Sequence, residues 1–426
     1  MKLWDKGISI DKTIEAFTVG DDRDIDVHIA KYDLQASLAH AKMLAKIGVL
    51  ENNELLQIEH AIEELQNEVA ANTFKIEDDF EDVHSKIEFE LTQRLGNAGK
   101  KIHTARSRND QVLVALQLYY KDNLTTIQKQ VKTIFDTLLA LAEQHKKELL
   151  PGYTHLQVAM PSSFGLWFSA YAEILIDDVV MLQSAQKIID QNPLGSAAGY
   201  GSSFPIDREM TTDLLNFSEL KYNVVAAQMT RGKNEHIIAS GLGNLAFTLS
   251  KFAMDICLYM SQNFDFISFP EQFTTGSSIM PHKKNPDVFE LIRGKCNSLQ
   301  SLSSQIQMMT HNLPSGYHRD FQLLKSPMIS AFETLKTVLS IFDYGLLQIE
   351  VKSVNLKDEK YKYLFTVDSI NSLVQNGATF REAYQQIGAQ VQEGTYACKT
   401  RHQHTHIGAI DNLALEKIKA KFPKLD

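Results

Sequence analysis

Residues 112–150 read VLVALQLYYKDNLTTIQKQVKTIFDTLLALAEQHKKELL, a stretch with neither glycine nor proline. Apolar and aromatic side chains recur along it in steps of three and four, at Leu113, Leu116, Tyr120, Leu124, Ile127, Val131, Ile134, Leu138 and Leu141. This spacing places them on one face of an α-helix. At 1.5 Å per residue, a helix from about Val112 to Leu150 would be about 58 Å long, which is more than a compact domain needs. The stretch therefore predicts an extended helical bundle.

The rest of the chain repeats this pattern. Long helical spacings cover 163–189, 235–263 and 286–310, each ended by proline or glycine, and strand-type alternation is scarce. The sequence therefore predicts an all-α protein with an elongated central bundle of long helices. Its predicted domains are an N-terminal helical domain (1–101), the central bundle (102–350) and a smaller C-terminal helical domain (351–426).

Composition excludes several classes of partner. The 426 residues carry 43 Lys and Arg against 52 Asp and Glu, a net charge of −9, which argues against binding nucleic acid. The three cysteines are widely separated and form no metal-type pair, as expected in a reducing cytoplasm. No apolar run approaches the roughly 18 residues of a membrane helix, and the N-terminus has no secretory apolar segment. We expect a soluble cytoplasmic protein.

Residues 275–287, TGSSIMPHKKNPD, form a loop that leads into a helix. Asn285 can cap that helix, proline suits its first position, and Asp287 complements its dipole. Free backbone N–H groups at such a helix start favour an anion, and Lys283 and Lys284 strengthen the preference. The alternative is a surface linker followed by a solvated lysine pair. The complete string favours a site for a carboxylate or phosphate.

The string GSSIMPHKKNP resembles the signature loop of the fumarase/aspartase superfamily, G-S-S-x-M-P-x-K-x-N-P, at every specified position. This resemblance implies β-elimination that releases fumarate by way of a doubly charged aci-carboxylate. It assigns the base to the first serine, here Ser277. Lys283, Asn285 and the loop amides would stabilise the developing charge. A serine is a poor base unless cations and N–H dipoles stabilise its alkoxide, and this loop offers both.

Four further stretches resemble motifs of the argininosuccinate lyase family. They are EDVHS (81–85), HTARSRNDQ (103–111), PGYTHLQ (151–157) and LPSGYHRDFQ (313–322). The resemblance covers about 17–377 and implies a carbon–nitrogen lyase of arginine biosynthesis. It would cleave argininosuccinate to arginine and fumarate without a metal or an organic cofactor.

The expected substrate explains the polar residues in these motifs. Argininosuccinate carries three carboxylates, an ammonium and a substituted guanidinium, so its site needs cations and fixed hydrogen-bonding groups. Arg108 would grip a carboxylate bidentately. Directed hydrogen bonds would come from Ser107, Asn109, Thr154 and Gln157. The resemblance assigns Tyr317 and Gln322 to the arginine portion and places Arg319 where the family has lysine, which keeps the charge but changes the donor geometry.

His155 matches the histidine that the family links to proton donation, and Glu290 matches its acidic partner. The leaving nitrogen needs a proton or a polarising donor as its bond to carbon breaks, a role suited to histidine. Two alternatives stay open. In one, His155 only binds and orients the substrate. In the other, His84 is the acid or contacts a carboxylate.

Some residues depart from the family pattern. His282 stands where many argininosuccinate lyases carry glutamine, and MPHKxNP is closer to adenylosuccinate lyase, the main alternative. The RSRNDQ and PGYTHLQ motifs argue against that enzyme. A family S-D-R-D stretch is replaced by TRGK (230–233), which leaves open which cation serves there.

Two other interpretations concern function of a different kind. A non-enzymatic structural role, known for lens proteins of this family, is a remote alternative, because the catalytic loop keeps Ser277, Lys283 and Asn285. The alternating histidines His402, His404 and His406 lack a nearby carboxylate or cysteine that would complete a metal site. We therefore predict an enzyme without a bound metal.

Assembly is the last expectation. Apolar stripes on helices longer than one chain's core needs favour packing between subunits. The resemblance implies a homotetramer of two-fold symmetry, in which each active site combines segments of three chains. These segments are 107–111, 154–157 and 276–285.

Overall fold

The computed structural model describes residues 11–398 and 403–425, and these are predominantly helical. Their α-helices are α1 (Lys12–Val19), α2 (Asp22–Ile25), α3 (Ala30–Lys46), α4 (Asn52–Ala70), α5 (Val83–Leu95), α6 (Asn97–Lys101), α7 (Arg108–Gln144), α8 (Phe164–Ile189), α9 (Arg208–Leu214), α10 (Val224–Met229), α11 (Lys233–Met260), α12 (Asp287–Leu299), α13 (Leu302–Met309), α14 (Lys325–Leu346), α15 (Thr366–Gln375), α16 (Phe380–Gln392) and α17 (Leu415–Lys421). The predicted all-α class is confirmed.

Strands are short within the described residues. They form three two-stranded sheets: antiparallel β1 (Leu149–Thr154) with β2 (Gln157–Ser163), parallel β3 (Gln191–Asn192) with β4 (Glu219–Leu220), and antiparallel β5 (Ile267–Ser268) with β6 (Glu350–Val351). Short 3₁₀ helices cover Asp26–Ile29, Glu271–Phe273, Arg319–Leu324 and Glu359–Tyr361.

Helix α7 corresponds to the long apolar stretch, but its bounds differ from the prediction. It has 37 residues, about 56 Å, and eight of the nine predicted face positions are buried while Leu141 is half-buried. It begins earlier than predicted because Ser107 and Asp110 cap its start. The amide of Ser107 donates to the Asp110 carboxylate (2.8 Å), and the Ser107 hydroxyl accepts from the amide of Asn109 (3.3 Å). It ends earlier because the chain turns into β1.

The other long predictions have mixed outcomes. Helices α8 and α11 confirm the patterns over 163–189 and 235–263. The prediction of one helix over 286–310 is wrong, because the chain breaks between α12 and α13. At the break, the carbonyl of Ser298 accepts both the amide (3.2 Å) and the hydroxyl (2.8 Å) of Ser301. A serine that bonds to a nearby backbone carbonyl in this way competes with helical hydrogen bonding.

The described residues form two compact units. The first takes its members from Met1–Ile127, Met181–Asn244 and Ser298–Lys336, and the second from Gln128–Val180, Leu245–Asn297 and Thr337–Asp426. The predicted division into three consecutive domains is a different kind of division and stays a prediction. In the second unit, several aromatic side chains pack together in the core, with Tyr171 stacked on Phe252 at 3.9 Å between ring centroids.

One described helix, α11, is long and apolar enough to cross a membrane. However, 61% of its most apolar window is buried inside the protein, as in the core helix of a soluble domain. Its length and composition are therefore weak evidence for a membrane span.

Candidate active site

The loop that contains Ser277 is closed at its base and exposed at its tip. Thr275 and Asn285 exchange backbone hydrogen bonds of 2.9 and 3.4 Å, which hold the two ends of the loop together. The Ser277 hydroxyl oxygen accepts from the amides of Ile279 (3.3 Å) and Met280 (3.2 Å). Backbone dipoles therefore point at the oxygen that would become an alkoxide, as the proposed base requires.

The other predicted residues of this segment lie on the loop and the helix that follows it. Lys283 and Lys284 are exposed, and Lys284 lies 4.0 Å from Glu271. The Asn285 side-chain amide is 3.4 Å from the Thr275 hydroxyl. Glu290 is on the first turns of α12, with a carboxylate oxygen 3.6 Å from Arg293. The loop thus keeps two cations at the surface, where an anionic substrate can meet them.

The PGYTHLQ motif forms a β-hairpin, which the sequence analysis did not predict. Strands β1 and β2 pair Thr154 with Gln157, so His155 and Leu156 are the two loop residues. Both have left-handed backbone angles, with φ of 55° and 58°, as a two-residue type I′ turn requires. Each such non-glycine residue costs about 1–3 kcal/mol, and positions of this kind cluster at functional sites.

The hairpin is anchored at its base and free at its tip. The Tyr153 ring packs edge-on against Phe264 at 5.2 Å between centroids. Thr154, His155, Leu156 and Gln157 are all exposed, and Leu156 is 71% exposed. Among the described residues, no hydrogen bond or ion pair joins His155 to Glu290. The structure therefore presents His155 outward, and its pairing with Glu290 stays a prediction.

The N-terminus of α7 carries the RSRND motif in the first unit. Ser107 and Asn109 are half-buried, and the Ser107 hydroxyl already accepts a helix amide. Asp110, which the sequence analysis did not single out, is fully buried and also accepts the amides of Gly195 (3.0 Å) and Ala197 (2.9 Å). Burial raises the pKa of Asp110 against the lowering effect of these amides. Asp110 therefore ties a second loop to the predicted binding residues.

Arg108 has protein partners in this structure. One terminal nitrogen donates to Glu81 (2.8 Å) and lies 3.4 Å from Asp82, and the other donates to Ser85 (2.7 Å). Burial lowers the pKa of Arg108, but Asp82 and Glu81 outweigh this and raise it overall. The bidentate contact of Arg108 with a substrate carboxylate stays a prediction, because Arg108 would have to give up these protein partners to make it.

His84 is fully buried beneath these residues. Its Nδ1 lies 3.2 Å from Asp33, whose carboxylate also accepts from the Gln111 amide at 2.9 Å. Burial lowers the pKa of His84, but Asp33, Asp82 and Asp26 outweigh burial and raise it above its ordinary value. With no exposed surface, His84 is placed to organise the site rather than to touch substrate. Of the two candidates for the acid, the geometry favours His155.

Lys325 is a buried cation that the sequence analysis missed. It contacts Asp26 (2.7 Å) and Asp22 (2.8 Å) and begins α14 three residues after Gln322. Burial raises the pKa of Asp22 to about 6. Lys325 and its aspartates come from distant parts of the sequence, so no local motif could have revealed them.

The LPSGYHRDFQ motif contacts the first helix. Arg319 and Gln322 both donate to the carbonyl of Thr18 at 2.9 Å, and Gln322 also donates to that of Val19 at 3.2 Å. They thereby bind the free carbonyls at the end of α1. Tyr317 packs against Phe321 at 6.2 Å between centroids. Binding of the arginine portion by Tyr317 and Gln322 stays a prediction.

The TRGK stretch contains two cations in different environments. Arg231 is buried, 3.0 Å from Glu235, and donates to the Phe321 carbonyl at 2.6 Å. Lys233 is exposed, and both cations line a cavity of about 300 Å³ together with His236 and Ser315, among others. Lys233 is the more exposed of the two cations.

No group of three or more His, Cys, Asp or Glu side chains that could hold a metal ion occurs in 11–398 or 403–425. His402 lies outside these residues. His404 contacts the buried Asp368 carboxylate at 2.6 Å, so its role here is structural.

The predicted residues thus divide between the two units. The first unit contains His84, Ser107, Arg108, Asn109, Tyr317, Arg319 and Gln322, and the second contains Thr154, His155, Gln157, Ser277, Lys283, Asn285 and Glu290. No hydrogen bond or ion pair in the described part of the second unit connects the hairpin tip to the Ser277 loop.

The fold and the Ser277 loop place this chain among known lyases. Residues 7–300 match a protein family described as Lyase. Two solved structures share the fold: EDDS lyase in complex with formate (21% identity, TM-score 0.74, covering 96% of this chain and 88% of that one) and the class II fumarase of Schistosoma mansoni (16%, TM-score 0.75, 89% and 88%). The class of the protein is therefore a lyase of the fumarase/aspartase fold.

Curated relatives define the family more closely. The argininosuccinate lyase of Bacteroides fragilis is 50% identical, covering 98% of this chain and 94% of the relative. That of Thermotoga neapolitana is 41% identical, with 91% and 97% covered. The chain belongs to the argininosuccinate lyase family.

Proposed function

We propose that this chain is a carbon–nitrogen lyase that cleaves argininosuccinate to arginine and fumarate for arginine biosynthesis in the cytoplasm. The observation that carries the proposal is the Ser277 loop, in which two amides point at the serine oxygen and two lysines stay exposed. Relatives that are named argininosuccinate lyase and match almost the whole chain support the choice of substrate.

The geometry suggests how the elimination proceeds. The Ser277 alkoxide, stabilised by the Ile279 and Met280 amides, removes a proton from the carbon next to a succinyl carboxylate. That electron pair first resides on the carboxylate as an aci-carboxylate, whose extra charge Lys283 and Asn285 stabilise. It then forms the carbon–carbon double bond of fumarate as the carbon–nitrogen bond breaks. His155 supplies a proton to the departing nitrogen, which becomes the guanidinium of arginine.

We further propose that the enzyme is a homotetramer whose active sites combine residues of several chains. Exposed apolar residues recur every seven positions on α8, at Ile174, Met181 and Ile188, and again on α11, at Phe247 and Met254. Such stripes are typical of helices that pack against another helix. In the part of the chain that the structure describes, no hydrogen bond or ion pair links the exposed tip with His155 to the Ser277 loop, as expected if these segments serve sites of different chains.

The test of the activity is fumarate release, followed by ultraviolet absorbance, with argininosuccinate and adenylosuccinate offered separately. We expect a larger kcat/KM for argininosuccinate, with no added metal and no loss on treatment with a chelator. A larger value for adenylosuccinate, or abolition of activity by the chelator, would contradict the proposal.

A further inference from the structure

Residues 195–201, GSAAGYG, form a loop of the first unit that no motif above includes. Its first half is firmly held. The amides of Gly195 and Ala197 donate to the buried Asp110 carboxylate at 3.0 and 2.9 Å, and the Ser196 hydroxyl accepts from the Gln228 amide at 2.9 Å. These bonds make the first half of the loop a rigid base.

The second half of the loop presents one aromatic side chain. The Ser196 carbonyl accepts the amides of both Gly199 (2.9 Å) and Gly201 (3.0 Å), which tightens the chain into a turn with Tyr200 at its tip. Both glycines have positive φ, 112° and 78°, a conformation that other residues rarely adopt. Tyr200 itself is 75% exposed, so its ring is not part of the core.

The position of Tyr200 relates it to two predicted binding segments. Its loop is tied to Asp110, the neighbour of Asn109, on one side. On the other side, the Tyr200 hydroxyl lies 3.8 Å from the point where Gly316 would carry a Cβ atom, and Gly316 precedes Tyr317. An exposed aromatic ring whose loop is bonded to one predicted binding segment, and whose hydroxyl lies beside another, is a candidate for ligand contact.

We propose that Tyr200 contacts the substrate and that its ring covers the guanidinium of the arginine portion. A guanidinium over an aromatic face gains cation–π attraction, which increases when the pair is shielded from water. This inference rests on the proposed function, because only that function supplies a guanidinium at this place.

The experiment compares Tyr200→Ala, Tyr200→Leu and Tyr200→Phe with a matched control, Tyr222→Ala. Tyr222 is 76% exposed in the same unit, so its loss tests the effect of removing any exposed tyrosine. Arginine and fumarate binding are measured by calorimetry, and KM and kcat for argininosuccinate by fumarate release. Arginine binding needs no turnover, so the inference can be judged even if the cleavage assay fails.

We expect Tyr200→Ala and Tyr200→Leu to weaken arginine binding about fivefold to tenfold and to raise KM similarly. In these two variants kcat should stay within about twofold and fumarate binding should be unchanged. Tyr200→Phe, which keeps the ring, and Tyr222→Ala should behave like the wild type. The inference is overturned if Tyr200→Ala binds arginine as tightly as Tyr222→Ala does, or if its fumarate binding weakens as much as its arginine binding. It is also overturned if Tyr200→Leu binds arginine like the wild type, or if Tyr200→Phe binds arginine as weakly as Tyr200→Ala. Failure of the wild type to cleave argininosuccinate would instead count against the proposed function.

Discussion

The predicted site residues of the two units differ in how they are held. In the second unit, His155 is at the tip of a strained hairpin, and Ser277 is half-buried on a loop whose following residues, 278–284, are exposed. In the first unit, Arg108 and His84 are tied to acidic side chains, and His84 is fully buried. The second unit therefore exposes the predicted reactive residues, whereas the first unit holds its site residues in a buried network of charged side chains.

This difference bears on the proposal that active sites combine residues of several chains. Left-handed residues such as His155 and Leu156 persist only where their surroundings impose that conformation. The hairpin register imposes part of it, but among the described residues the side chains of His155 and Leu156 make no hydrogen bond or ion pair that would fix the exposed tip. We infer that a neighbouring chain supplies the missing contacts. The buried network of the first unit needs no such help and can be formed before subunits meet.

The largest effect that we expect is a loss of activity on replacing Ser277, in the more exposed of the two regions. Ser277→Ala removes the base from a loop that contributes little to any core, so the fold should be retained while kcat falls at least about a thousandfold, roughly 4 kcal/mol. The substrate should still bind. The control is Ser304→Ala, an exposed serine on α13 outside the predicted site, which should stay near wild-type activity. If Ser277→Ala kept more than about a tenth of wild-type kcat, Ser277 would not be the base.

A smaller effect tests the buried side. Replacing His84 by Asn leaves the Asp33 carboxylate buried without its cation, which should cost about 3–5 kcal/mol of unfolding free energy. The pKa of His84 is raised in the folded state, so its contribution is fully present below its ordinary value of 6.5 and is lost as pH rises through the folded value. The stability gap between wild type and His84→Asn should therefore be larger near about pH 6 than near about pH 9, as measured by denaturant unfolding.

The difference in unfolding free energy between the wild type and His84→Asn reports the contribution of His84, which neither pH profile alone would do. Asp22, whose pKa burial raises to about 6, titrates in the same range in both proteins. A gap that stayed constant or widened with rising pH would mean that His84 is neutral in the folded protein. The description of the first unit as a buried network of charged side chains would then be wrong at His84.

Local features of the chain were predictable from sequence. The Ser277 loop and the start of α12 follow from glycine and proline within a few residues, and α7 follows from a regular apolar spacing. The helix cap by Asn285 stays a prediction, because its side-chain amide donates to the Thr275 hydroxyl at 3.4 Å. The hairpin around His155 was missed because His-Leu is a poor type I′ pair, so local propensity argued against it. Strain of this kind at a functional residue is where prediction from local preference is expected to fail.

Nonlocal contacts account for the other omissions. Asp110 holds Gly195 and Ala197, more than eighty positions away, and Lys325 pairs with Asp26 across an even longer separation. Contacts between residues so far apart cannot be recognised from any short stretch of the sequence. Arg108 is a similar case. Its residue type predicted a contact with substrate, but its two terminal nitrogens donate to Glu81 and Ser85 of another motif.

The measurement that tests the proposed sharing of sites between chains most directly is complementation between two inactive variants. His155→Asn, which keeps a residue that tolerates the left-handed conformation, and Ser277→Ala are each refolded alone and then together in equal amounts. If a site takes these residues from separate chains, each is intact about half the time and about a quarter of wild-type fumarate release should return. No recovery, with mixed oligomers demonstrated by mass spectrometry, would contradict the account and place both residues in a site of one chain.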